Sequence, residues 1–153
     1  MTRLLGIDLG ARRIGLAVAD TASGQIVPLT TLRRGSAERD AATLSRIARE
    51  QQVDELILGL PLNMDGSEGE QAGATRDWAG QVCPLLALPL HWRDERLTSE
   101  LAETRLGGPP RGRSGGPPSG AARAARRARV DRESARLILE AELDARQALA
   151  RDS

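Results

Sequence analysis

Lysine is absent from the 153 residues, as are phenylalanine and tyrosine, and there are only two tryptophans, one cysteine and one histidine. Without lysine there is no Schiff base and no Walker-type phosphate lysine. With two indoles as the only large rings, an aromatic stacking platform for single-stranded nucleic acid is nearly excluded, and Leu, Ile, Val and Ala must fill the interior. A lone thiol forms neither an intramolecular disulfide nor a multi-cysteine zinc site, which fits a reducing compartment. Long apolar runs are missing too: the longest, residues 82–90, contains Pro84 and Pro89 and is far short of the ~20 residues that span a bilayer, and the N-terminus lacks a signal-peptide layout. The expectation is a soluble, cytoplasmic protein, and 153 residues suit a single domain at roughly 100 to 200 residues each.

What is present is a 40% hydrophobic content, enough for a packed core, and a charge pattern hidden by the net value of +1. Residues 105–136 carry 9 Arg against 2 acids, an excess of +7, while residues 1–104 carry 11 Arg against 15 acids. Such a block either forms a solvated helix or meets an anionic partner, most simply a phosphate backbone.

Residues 3–9 and 14–19 read as strands joined by a turn, and 24–32 as a third strand. Ser36 caps a helix in which Ala42, Leu44, Ile47, Ala48 and Val53 recur at helical spacing. Residues 56–60 form a buried strand of the parallel type. Asn63 to Gly66 make a turn, and Ser67 with Glu70 forms a capping box opening a helix through about Val82. Residues 85–92 read as a fifth strand, and Thr98 or Ser99 caps a further helix ending at Gly107 and Gly108. Residues 107–120 hold six Gly and four Pro, the composition of a flexible loop. Beyond it Val130, Leu137, Ile138, Ala141, Ala145 and Ala148 mark a terminal helix lying across the sheet. The class is α/β: a mixed five-stranded sheet, three antiparallel strands then two parallel, with helices on both faces, an order that matches the ribonuclease H-like fold.

Asp8 stands inside an apolar strand, where a buried carboxylate needs a partner or a metal unless it faces water at a sheet edge. Asp94 and Glu95 follow the fifth strand, where open sheets present ligand-binding groups. Asp131 lies at the wet border of the last helix. If the first and fifth strands flank the middle of the sheet, Asp8, Glu95 and Asp131 converge, and their oxygens suit Mg²⁺ or Mn²⁺. A pair of such ions serves phosphodiester hydrolysis. His91, beside Trp92, reads as packing or a strand-end hydrogen bond, and Cys83 as a small buried hydrophobe. Arg12, Arg13 and Arg96 neighbour these acids and either hold phosphate, orient a carboxylate or sit on the surface. Arg126, Arg127 and Arg129 belong to the basic block and are its candidate phosphate contacts.

Residues 6–20 (GIDLGARRIGLAVAD), 59–67 (GLPLNMDGS) and 94–99 (DERLTS), with Val130 and Asp131 ahead of Ile138 and Leu139, resemble the YqgF family, also called RuvX, in order and spacing. The resemblance implies a ribonuclease H-like fold related to Holliday junction resolvases. It also implies a metal-dependent nuclease acting on structured nucleic acid, either maturing the 5′ end of pre-16S ribosomal RNA or cutting branched DNA. Its acidic positions fall on Asp8, Glu95 and Asp131. Two features depart from the pattern: the composition of residues 107–120, and Ser134 with Ala135 where the family often shows two alanines. A second helix acid three residues after Asp131, which resolvase relatives can use, is missing, and Glu133 points to another side of the helix. A reading from another class is a non-catalytic RNA- or ribosome-binding module. Cutting a four-way junction symmetrically requires two sites and hence a dimer, so both monomer and homodimer remain open.

Overall fold

The apolar run that opens the chain is paired on both sides. In the structure, a computed structural model describing residues 2–95 and 120–151, β1 (Arg3–Leu9) pairs antiparallel with β2 (Arg13–Asp20), which pairs antiparallel with β3 (Ile26–Arg33). On its other side β1 pairs in parallel with β4 (Glu55–Leu60), and β4 with β5 (Leu90–Asp94). The order is β3-β2-β1-β4-β5, the mixed five-stranded sheet expected.

Alternation along the strands divides the side chains between two cores. Leu5, Ile7 and Leu9 of β1, with Ile14, Leu16, Leu56 and Leu58, face the helices α1 (Ala37–Glu50) and α2 (Glu70–Leu86). Leu4, Ala17, Ala19 and Ile57 face α3 (Gly120–Arg151) through Ala135, Ile138, Leu139 and Leu143. Leu56, Ile57 and Leu58 are wholly buried, as a strand covered on both faces requires, and each contributes about 1.5–3 kcal/mol. Ser36 caps α1 by accepting from the Arg39 N–H at 3.2 Å, a bond of about 1 kcal/mol.

Four local expectations are corrected. The capping box does not form: Gly69 is the N-cap of α2 with no side-chain bond, and the Ser67 hydroxyl donates to Asp65 Oδ1 at 2.6 Å while accepting from Asn63 Nδ2 at 2.9 Å. The fifth strand begins at Leu90 rather than at 85, because α2 continues through Pro84 to Leu86. Val82 and Cys83 are buried in the core and Leu86 packs against it, which sustains the last turn despite the missing N–H. Ala87, at φ +56, ends the helix in the left-handed region. In α1 the buried stripe uses Ala41 and not Ala42. In α3 Ala141 and Ala148 are exposed, whereas Glu142 and Leu143 are buried.

Glu142 tolerates burial because two arginines meet it. Arg93 Nε lies 3.0 Å from its Oε1 and Arg146 Nε donates to its Oε2 at 2.8 Å; Arg146 Nη2 then donates to Glu55 Oε1 at 2.9 Å. His91 Nε2 stands 2.7 Å from the same Glu55 oxygen, the strand-end hydrogen bond expected of it. This chain of charges ties β4 and β5 to α3. The predicted helix after Thr98 or Ser99, Arg96 and the 107–120 loop lie outside the described residues, Gly120 apart, which opens α3. Among the described residues no helix is long and apolar enough to cross a membrane.

Candidate active site

Asp8 shares the α3-facing side of β1 with Leu4, and its cross-strand partner in β2 is Gly15. A Cβ on Gly15 would overlap the backbone oxygen of Asp131 in α3. The helix therefore reaches the sheet at Asp131, about three turns past its start at Gly120, only because position 15 carries no side chain.

The next candidate residue, Glu95, directly follows β5. Period two places His91 and Arg93 on the α3 side and Leu90 and Trp92 on the α1/α2 core. Continuing the alternation brings Glu95 to the α3 side, and its backbone N–H donates to Leu60 O at 3.1 Å. Asp94, expected to follow the strand, is instead its last residue and is exposed. A Cβ on Gly59 would strike the Glu95 carboxylate and, at 2.6 Å, Ile138 Cδ1. Glu95 thus lies across a glycine of β4.

The Asp8 and Glu95 carboxyls are hydrogen-bonded to each other. Two carboxylates in contact repel, so one proton must lie between them unless a cation does. Burial is the largest influence on both. It raises Asp8 to about 6, assisted by the Asp131 charge and opposed by the hydrogen bond with Glu95. It pushes Glu95 up to about 10, with the Asp8 charge, the Asp8 hydrogen bond and the Asp94 charge adding to it. At neutral pH the pair retains one proton.

Asp131 acts on Asp8 through its charge but does not join the pair. Its Oδ2 accepts from Arg13 Nε at 2.7 Å, with both side chains partly buried. Among the described residues no three acidic, histidine or cysteine side chains are arranged to hold one metal ion as they stand. The expected convergence is therefore two acids in contact and a third alongside, held by an arginine.

Arg12, Arg13 and Arg127, with Gly10, Ala11 and Asp131, line an open cleft of about 320 Å³. Arg127 and Asp131 are four residues apart on α3 and so share a face. Arg126 and Arg129 are not in this lining, and Arg129 is exposed. The turn carrying Arg12 and Arg13 is braced by Arg34, whose Nη1 donates to Gly10 O at 2.9 Å and whose N–H donates to Arg12 O at 2.9 Å. Sequence reasoning passed over Arg34, Gly15 and Gly59. Their signal was available in part: an arginine just beyond a strand end, and glycines within otherwise apolar strands.

A family model described as RuvX, Holliday junction resolvase, matches residues 2–145. A protein of Anaeromyxobacter dehalogenans (strain 2CP-C) named "Putative pre-16S rRNA nuclease" is 43% identical over 145 residues, covering 94% of this chain and 98% of its own. A protein of the same name from Synechococcus elongatus is 42% identical over 140 residues, covering 92% and 87%. Among solved structures, Thermus thermophilus RuvC matches at a TM-score of 0.54 with 13% identity, covering 96% of this chain and 97% of that one. T. thermophilus RuvC in complex with a Holliday junction substrate matches at 0.53 with 14% identity and 96% of each chain. These two likenesses bear on the fold, which is ribonuclease H-like.

Proposed function

Because this chain belongs to the RuvX family of Holliday junction resolvases, we propose that it is a metal-dependent endonuclease hydrolysing phosphodiester bonds of structured nucleic acid. Processing of pre-16S ribosomal RNA is the reading favoured by the names of its relatives, and we place that work at the 5′ end of the precursor and in the cytoplasm. The observation that carries the chemistry is the Asp8–Glu95 pair, largely buried beside an arginine-lined cleft.

The donor set fits a hard divalent cation. Two carboxylates forced together repel, and Mg²⁺ or Mn²⁺ commonly takes one or two protein carboxylates, leaving its other positions to water and substrate phosphate. Asp8 and Glu95 would hold the ion, with Asp131 as the third acid. The bound ion would supply Lewis acidity toward the scissile phosphate and a lowered pKa for attacking water.

The chain's own groups do the rest. Arg12, Arg13 and Arg127 bind the phosphates flanking the scissile bond, where guanidinium forks match phosphate oxygens. Arg13 also holds Asp131, so one guanidinium links the cleft to the acids. Arg96, Arg126 and Arg129 extend the phosphate contacts along the strand.

Cleavage of branched DNA is the second reading, favoured by the description of the family, and it calls for two copies of the site. A 16S precursor leader RNA and a four-way DNA junction, each incubated with Mg²⁺ and with Mn²⁺, separate the two. Asp8→Asn is expected to fold normally and lose cleavage by about 10²-fold or more, since it removes a charge that the ion needs. Full cleavage by that variant would refute the reading. Unaltered nucleic-acid affinity with no metal binding and no cleavage in the parent protein would favour a binding module.

A further inference from the structure

Ser134 is 1% exposed, and among the described residues its hydroxyl has no hydrogen-bond partner. It does not make even the bond to the carbonyl four residues earlier that helical serines often adopt. Buried hydroxyls are nearly always satisfied, so an orphan calls for a partner that arrives with a ligand.

Its place in the helix indicates which ligand. At 100° per residue, Ser134 lies about 60° around α3 from Asp131 and about 40° from Ile138. Ile138 leans over Gly59, the position that the Glu95 carboxylate also borders, whereas Leu139 on the other flank leans over Gly6 of β1. The helix meets Gly15, opposite Asp8, at Asp131 and runs inward from there. Ser134 thus lies between Asp131 and Ile138 along the helix, on the flank that carries Ile138 toward Gly59 and Glu95. As the acids stand, Asp8 and Glu95 are bonded to each other.

We propose that Ser134 is a positioning residue of the divalent-cation site: its hydroxyl donates to the Asp8–Glu95 carboxylates when an Mg²⁺ or Mn²⁺ ion occupies them, and holds them toward the ion. This rests on the metal-dependent reading of the pair. A serine that merely fills space would be replaceable by alanine without any effect on metal affinity.

Mn²⁺ titration followed by electron paramagnetic resonance, on the full chain without nucleic acid, tests it. Ser134→Ala and Ser134→Cys, which keeps the volume but donates poorly, are expected to bind Mn²⁺ about 10- to 100-fold more weakly, as when an outer-shell partner is lost. Their metal-free melting temperatures should equal or exceed that of the parent, because the orphan hydroxyl is gone. Asp8→Asn serves as the reference. If it loses Mn²⁺ while both Ser134 variants bind within twofold of the parent, the role of Ser134 is overturned and the cation site stands. If Asp8→Asn binds Mn²⁺ like the parent, the cation site itself falls.

Discussion

Glu95 concentrates the electrostatic cost of the site. Its carboxyl and that of Asp8 have raised pKa values, about 10 and about 6, against ordinary values of 4.5 and 3.8. Between the ordinary and raised values the unfolded chain has released protons that the folded one still holds. The contribution of this pair to stability is therefore fullest below about pH 4 and falls as pH rises through 6 toward 10. Melting temperatures measured in EDTA should decline from pH 5 to pH 9 more steeply for the parent than for Glu95→Gln, and Mn²⁺ should flatten the parent's decline; parallel curves for the two proteins would contradict the pairing. At this scale Asp8 was legible, because an acid within an apolar strand demands a reason. The bond from Arg13 to Asp131 was not, since it joins positions 118 apart in sequence and no local pattern encodes it.

The decisive element is α3, which seats itself by close approach to the sheet. Gly15 admits the Asp131 backbone and Gly59 admits Glu95 and Ile138. Gly15→Ala pushes against backbone, which cannot swing aside as a side chain can, and should cost about 1–3 kcal/mol of stability and lower cleavage as Asp131 is displaced. Urea unfolding checks the first effect and a cleavage assay the second; a variant with parental values in both would show that α3 is loosely docked at Asp131. Element order was readable from hydrophobic runs, but boundaries were not wherever tertiary packing overrode local rules. The core-facing side of α2 carries that helix through Pro84, and Arg93 with Arg146 lets Glu142 occupy a buried place that a hydropathy stripe assigns to alanine.

For the molecule as a whole, the sequence showed a basic block of +7 over residues 105–136 but placed Arg126, Arg127 and Arg129 on an equal footing. The structure separates them, since Arg127 joins Arg12 and Arg13 around the cleft. Replacing Arg12 and Arg127 with glutamine should weaken binding to every sequence and reduce the salt dependence on duplex DNA by roughly 0.9 per lost contact, whereas Arg129→Gln should change it less. Equal slopes for the two variants would remove the cleft from the binding surface. One consequence follows from the strand that delivers Glu95. Among the described residues β5 lies at the rim of the sheet, fastened by β4 and by the ionic bridge through Glu55, Arg146 and Glu142. Rim strands open more readily than central ones. Warming is therefore expected to draw Glu95 away from Asp8 before the molecule melts, while the β1–β2 hairpin still stands.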